Sequence, residues 1–557
     1  MKKQTFILAF LVGITLSASA QKPTKLLSTS GNITSNRTLS KDTIYILDRP
    51  VYVRPGATLT IPAGTIIKGK VSSAGIGTLI IDRGAKIDAQ GTATEPIVFT
   101  SASAPGSRAT GDWAGIIIVG KAPINKSITI EGGNFQVDHD LNPSTPPSND
   151  PLVPGTDPND DSGIMRYVRI EYAGHPIAPN SEVNSLSCYG VGRGTKLEYI
   201  QCSYGNDDDF EFFGGTVDAK YLVGYAGVDD KIDTDFGYQG RLQFVYIVCD
   251  PAIADAAGDS NGLESDNNNV PDFATPRTQP TISNMTIVGP LAFSSSFNPK
   301  YGHAARIRRN SLYYVYNSIF AGYPSELRFE PASVQAAQAD SIHFRNNIFA
   351  GHKNTANTWL PNSGSFLPRA WIKNSAFNND TLVTIAEVKF ENITDNTSPL
   401  NNPIASLKVG SPALGTASFA HTPLSDPFFT TVNYKGAFPA TGGPLWTDGW
   451  TEWNPQSRPY DGATSINESG FAQFELSQNI PNPFSTTTNV VFNVEKNTNL
   501  VFNVVDMMGR TVYQHQDSYA PGTHTLQFDA SHLPSGIYYM NVTDGLGTKT
   551  LKMVVSK

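Results

Sequence analysis

The chain has 557 residues, 16% of them charged, and a formal net charge of −8. That balance excludes nucleic acid and anionic membrane surfaces as natural partners. Its 48 glycines and 38 prolines, with little helical periodicity, point to an all-β, turn-rich protein of more than one domain.

Residues 1–20 have the make-up of a secretory signal peptide. Lys2 and Lys3 precede the apolar run Phe6 to Leu16, and Ala18-Ser19-Ala20 supplies small residues for cleavage between Ala20 and Gln21. The run is far shorter than the ~20 apolar residues that span a bilayer. No later stretch is longer and as apolar, so no transmembrane segment is expected in the mature chain. Cys188, Cys202 and Cys249 sit in apolar, strand-like runs and read as buried free thiols.

Repeats begin early. "TLTIPAGTIIKG" (58–69) overlays "TLIIDRGAKIDA" (78–89) at a shift of 20, matching Leu59 to Leu79, Gly64 to Gly84 and Ile67 to Ile87. Short alternating strands broken by a regularly placed Gly predict a β-solenoid, whose coils stack because none can bury its apolar face alone. Strand-like segments follow from Lys196, Ala219 and Arg241, then from Thr281, Ser311, Ser341 and Ala370. Coils of 20 to 30 residues predict a right-handed parallel β-helix. Asn317 and Asn347, in "NSIFAG" and "NNIFAG", are expected to stack as an amide ladder. A polar, Pro-rich loop near 135–163 interrupts the stack, and Asp255–Gln279 is a second loop. Trp446, Trp450 and Trp453 are expected to form a lid on the open end of the solenoid, with a sugar-stacking platform as the alternative. Residues 457–472 read as a linker, and 473–557 as a small antiparallel β-sandwich with turns about every ten residues.

The acidic chemistry lies in two clusters. "GNDDDFEFFGG" holds Asp207, Asp208, Asp209 and Glu211, and 22 residues after Asp207 come Asp229, Asp230, Asp233 and Asp235 in "AGVDDKIDTDFG". One coil of that length stacks Asp207 and Asp208 beside Asp229 and Asp230, about 4.8 Å away. Carboxylates that close either hold protons or share a cation. Asp207, Asp208, Glu211, Asp229, Asp230, Asp233 and Asp235 are therefore the expected ligands of an extracellular cation, calcium by preference. The alternative is that they face solvent, cap turns or pair with Lys220, Lys231 and Arg241.

Two resemblances sharpen this reading. "LSQNIPNPF" (476–484), "VVDMMGR" (504–510), "PGTHTLQFDASHLPSGIYY" (521–539) and "KMVVSK" (552–557) closely resemble the type A C-terminal sorting domain of type IX secretion substrates. The resemblance implies export through the periplasm and across the outer membrane, with residues 473–557 engaging the secretion machinery. The cargo is then released or attached to surface lipopolysaccharide. "GDWAGIIIVGKAPIN" (111–125), "MRYVRIEYAG" (165–174), the stretch 190–244 and "SNGLESDN" (260–267) look like the pectate-lyase-like β-helix surface proteins commonly fused to such domains. This resemblance spans most of residues 30–455, and the β-helix domain is read as residues 21–456.

The leading expectation is binding or adhesion at the cell surface. A glycan is the favoured ligand, met by the carboxylates and by Tyr172, Tyr204, Phe212, Phe213, Tyr225 and Tyr238. The rival is a calcium-dependent polysaccharide lyase or a glycoside hydrolase. A lyase would use Lys231 or Arg241 as its base, and a hydrolase would use paired carboxylates. "GHAARIRR" (302–309) holds His303 and Arg306 on one coil, unlike the order found in polygalacturonases. A structural surface-layer role is the third reading.

Overall fold

In a computed structural model the chain forms two compact units, Gln21–Asp461 and one containing Gly462–Lys557. The structure describes residues 22–460 and 474–557, except 133, 143, 179–180, 257, 354–365, 392, 394–402, 404, 495, 507–509 and 545–547. The expected cleavage point at Ala20 and Gln21, and most of the expected linker, lie outside the described residues.

The larger unit is a parallel β-helix. One wall is a ten-stranded parallel sheet in strict chain order, from Asn32–Ile33 to Ser325–Phe329. It includes Leu186–Tyr189, Phe210–Phe213, Ile232–Asp235, Leu263–Ser265 and His303–Ile307. The other walls come from a 17-stranded sheet whose longest strands, such as Lys196–Ser203 and Asp218–Tyr225, each turn a corner partway along. Leu197, Ala219 and Leu242 stack inside, coil on coil, in one continuous apolar core.

The corner is a register column. Tyr167, Tyr199, Tyr221, Phe244, Asn284, Asn317, Asn346 and Asn378 all have φ between +49° and +61°. Left-handed backbone is costly for aromatic residues and cheaper for Asn. The aromatic half of the column offsets the cost by ring stacking, with centroids 4.3 Å apart for Tyr167–Tyr199 and Tyr199–Tyr221. The Asn half does so by side-chain bonds. Asn346 Nδ2 donates to Asn317 Oδ1 at 2.6 Å, and Asn378 Nδ2 to Asn346 Oδ1 at 2.7 Å. The expected Asn317–Asn347 ladder is thus two adjacent ladders. Asn347 belongs to the second, where its Oδ1 accepts the Ser318 N–H at 2.8 Å.

The 20-residue overlay near the N-terminus does not give the stacking register. Leu59 lies beside Ile87, and Leu79 beside Val51, both at a shift of 28. The overlay matched two walls of the same coil. Each wall is a short alternating strand ending in a Gly turn, and Gly64 and Gly84 both have φ +75°.

The tryptophans also sit elsewhere than expected. Residues 405–460 run back along the flank of the β-helix instead of closing its end. Gln243 grips this strap as a strand would: its Nε2 donates to Thr430 O at 2.7 Å and its Oε1 accepts the Thr430 N–H at 2.8 Å. Gln201 pairs with Glu452 in the same way. Trp450 meets Tyr167 and Tyr199 edge-on, Trp446 tilts over Tyr221, and Trp453 meets Tyr225 edge-on. They cover the aromatic corner column, so neither a terminal lid nor an open sugar platform describes them.

The C-terminal unit holds two antiparallel sheets. One contains Phe474–Leu476, Thr487–Val494 and Gly522–Asp529; the other contains Thr498–Asp506, Thr511–Tyr519, Gly536–Thr543 and Thr548–Val555. Its core includes Phe492, Phe502, Val504, Phe528, Met540 and Met553.

Candidate metal centre

The outer face of the ten-stranded sheet grades along the helix axis. Residues in register on successive coils read Tyr52, Ile80, Ile117, Ser187, Glu211, Asp233, Glu264, Arg306 and Arg328. The apolar beginning is covered by the insertion, which fills the whole interval between the strands Gly115–Val119 and Gly163–Glu171 and so starts earlier than the expected 135; its Ile130, Phe135, Val137 and Leu152 pack against Ile80, Ile117 and Tyr189. The acidic middle is the candidate site.

The 22-residue interval holds there. Glu211 stands beside Asp233, Phe213 beside Asp235, and the Asp209 N–H donates to Asp230 O at 3.1 Å. Oxygen atoms of Asp207, Asp208 and Asp229 lie within 4.8 Å of one another, and so do those of Asp208, Glu211 and Asp233. Asp208 belongs to both groups. Asp208 and Glu211 are buried, whereas Asp207, Asp229 and Asp233 are partly exposed. The group is therefore open on one side.

Asp208 and Asp230 also have a structural role. Asp208 Oδ1 accepts the Asp230 N–H at 2.8 Å, Asp230 Oδ1 accepts the Asn261 N–H, and Asn261 Oδ1 accepts the His303 N–H at 3.0 Å. This ladder satisfies one backbone donor per coil at the bend. It commits one oxygen of each carboxylate. Asp230 and Asp235 fall outside both ligand groups; Asp235 Oδ1 instead accepts the Phe236 N–H at 2.6 Å.

Counter-charges are unevenly placed. Arg308 bonds Glu264 at 2.7 Å and Asp266 at 2.5 Å, Arg309 reaches Asp266 at 2.7 Å, and Arg306 lies between Glu264 and Glu330. Among the described residues, no Lys, Arg or His comes within ion-pairing distance of Asp207, Asp208, Glu211, Asp229 or Asp233. Burial, and then the neighbouring carboxylates, push Asp207, Asp208, Glu211 and Asp233 well above the usual carboxylate range. Carboxyl groups crowded in this way are favoured either to hold protons or to share a cation.

The residues expected to act as a base are not over this face. Lys231 is 0% exposed, and its Nζ donates to Gly227 O at 2.8 Å and to Asp229 O, inside the turn. Arg241 lies on the other sheet, bonded to Asp218 at 2.9 Å and to Asp426. His303 is buried in the ladder, and burial holds it neutral, down to about 3. Asp209 points inward, with both carboxylate oxygens lacking a hydrogen-bond partner among the described residues. Burial raises it to about 7, against the pull of Lys231. The aromatic residues expected to meet a sugar are largely interior: Tyr172, Phe212, Phe213, Tyr225 and Tyr238 are buried, and only Tyr204 is partly exposed.

Glu131 and Asn184 belong to the site and have no signature in the sequence. Glu131 arrives on the insertion, and Asn184 Nδ2 donates to it at 3.2 Å and also to Glu211. Glu131 lies in no acidic run and at no repeat interval, and only the fold of the insertion brings it there; Asn184 shares the coil register of Asp208 but lies in no acidic run.

A family model described as "Pectate-lyase like beta helix domain" matches residues 31–451, and one described as "Secretion system C-terminal sorting domain" matches residues 480–556. Among solved structures the chain is similar to pectate lyase Pel9A, at 11% identity and TM-score 0.29, over 74% of this chain and 98% of that one. It is also similar to the Dettilon tailspike protein, at 10% identity and TM-score 0.20, over 91% of this chain and 74% of that one. No curated protein matches it.

Proposed function

We propose that this chain, which belongs to the pectate-lyase-like β-helix family, is a surface protein that binds a glycan through a divalent cation held on its acidic wall. Its destination is the cell surface or the extracellular space, because it carries a type IX secretion C-terminal sorting domain. Calcium suits the site: hard carboxylate oxygens, a rigid frame and an oxidising, calcium-rich exterior. One observation carries the reading. Asp207, Asp208, Glu211, Asp229 and Asp233 converge within two overlapping oxygen groups while the nearest arginines are spent on Glu264, Asp266 and Glu330. Partly exposed Asp207, Asp229 and Asp233 leave coordination positions for sugar hydroxyl or carboxylate groups.

Binding is favoured over cleavage. A lyase needs a base above the cation, and both Lys231 and Arg241 are committed elsewhere. The test is a panel of neutral and acidic glycans presented to the mature protein with calcium or with chelator. Calcium-dependent retention, without the absorbance of unsaturated sugar ends, is expected. New absorbance would replace binding by lyase action. Retention of no glycan under either condition would remove the glycan.

A further inference from the structure

The insertion is fastened firmly to the β-helix. Arg83, 1% exposed, donates from Nε to Gly120 O at 3.0 Å, from Nη1 to His139 O at 2.8 Å and from Nη2 to Val153 O at 2.7 Å. Asp82 Oδ1 accepts the Asp138 N–H at 2.8 Å. Tyr189, stacked on Phe213 at 4.1 Å, accepts the Glu131 N–H on its hydroxyl at 3.0 Å. These contacts hold Glu131 beside the acidic wall, where it shares Asn184 with Glu211.

Asn184 stands between those two carboxylates. It is 1% exposed and its Nδ2 donates to both, yet its Oδ1 has no partner among the described residues. By register it is the position preceding Asp208 in the bend ladder. Asp208, Asp230 and Asn261 each accept the next coil's N–H, and Asn184 does not. Its amide is turned away from the backbone role and towards the acids. A half-turn of that amide exchanges Nδ2 for Oδ1 and makes it a third oxygen donor between Glu131 and Glu211.

We propose that Glu131, Asn184 and Glu211 form a second cation position beside the Asp207–Asp208–Asp229 group, so that the insertion supplies a ligand and the bound ion clasps it to the coils. This rests on the cation reading above and deepens it. Hard divalent cations take six to eight oxygens. Asp208 has one oxygen engaged in the ladder, and one ion cannot draw on every carboxylate present.

The test is calorimetric titration of calcium into the chelator-stripped mature protein, with hydrogen exchange over residues 125–162. Wild type is expected to bind two ions per chain and to gain protection in the insertion. Glu131→Gln is expected to bind one ion and gain no such protection, with an unchanged circular dichroism spectrum. Asp150→Asn, on an exposed part of the insertion, is expected to behave as wild type. If wild type binds one ion and Glu131→Gln binds it equally well with equal protection, the second position is wrong and the first stands. If wild type binds none, the cation reading itself falls.

Discussion

Asp208 uses its two oxygens differently. Oδ1 accepts the N–H of the next coil, which leaves Oδ2 to be offered to a ligand. Asp208→Asn keeps the rung, as Asn261 does one coil pair later, and removes the charge. Its melting temperature in chelator is expected to equal or exceed that of wild type, while the rise on adding calcium shrinks to the part owed to the Glu131–Asn184–Glu211 position. Asp208→Ala loses the rung as well and is expected to cost about 1–3 kcal/mol in chelator. A calcium-induced rise as large as that of wild type in Asp208→Asn would show that this carboxylate is no ligand. The acidic wall also sets a pH dependence. In the cation-free protein Asp209, Asp229 and Asp230 stand at about 7 and Glu264 at about 8, raised chiefly by burial. Unfolded carboxyls titrate near ~4. Between those values the folded chain holds more protons than the unfolded one, so stability falls as pH rises from about 4 through 8. Melting in chelator should therefore be higher at pH 5 than at pH 8, and calcium should narrow the gap. Equal melting temperatures would mean that these groups are not raised. The Asp doublets and their interval were readable from residue order. Which oxygen serves the ladder, and that Asp209 and Lys231 point inward, was not, because a one-residue change of direction at the bend reverses a side chain's environment.

At the scale of elements, the insertion and the strap turn a repetitive solenoid into a specific surface. Both are attached by side chains that imitate backbone partners. Arg83 satisfies three carbonyls at once, so Arg83→Lys, which lacks the planar fork, is expected to loosen the insertion. Limited proteolysis should then cut within 125–162 several-fold faster than in wild type; an unchanged rate would assign the fastening to the apolar contacts alone. Trp450 is fully buried against the aromatic corner column. Trp450→Ala is expected to cost about 3–5 kcal/mol in chemical unfolding of the β-helix. A loss below 1 kcal/mol would mean that the strap is dispensable to the coils. The tryptophan cluster was visible in the sequence, but its place was not. Tyr167, Tyr199 and Tyr221 become neighbours only through the coil register, and these column residues, which Trp446 and Trp450 cover, are more than 200 residues from them in the chain.

At the scale of the molecule, address and body are separate. The C-terminal unit has its own core around Phe492, Phe502 and Met540, and the β-helix has its own from Leu27 to Ile372. A chain ending at residue 460 is expected to keep the β-helix circular dichroism spectrum and calcium response while failing to leave the periplasm. Fractionation that finds it outside the cell would break the link between sorting domain and export. Residue order by itself determined the β-helix class, the export address and the acidic interval, because each is written in short contiguous patterns: alternation, Gly turns, a C-terminal motif series. Tertiary structure alone decided what the carboxylates face. The stacking shift varies from coil to coil, 28 near Leu59 and 22 at Glu211, and Glu131 reaches the acidic wall through an insertion that obeys no repeat, where it meets Asn184 of the bend. Ligand geometry depends on distances between coils, and those are set by packing along the helix axis and not by neighbours in the chain.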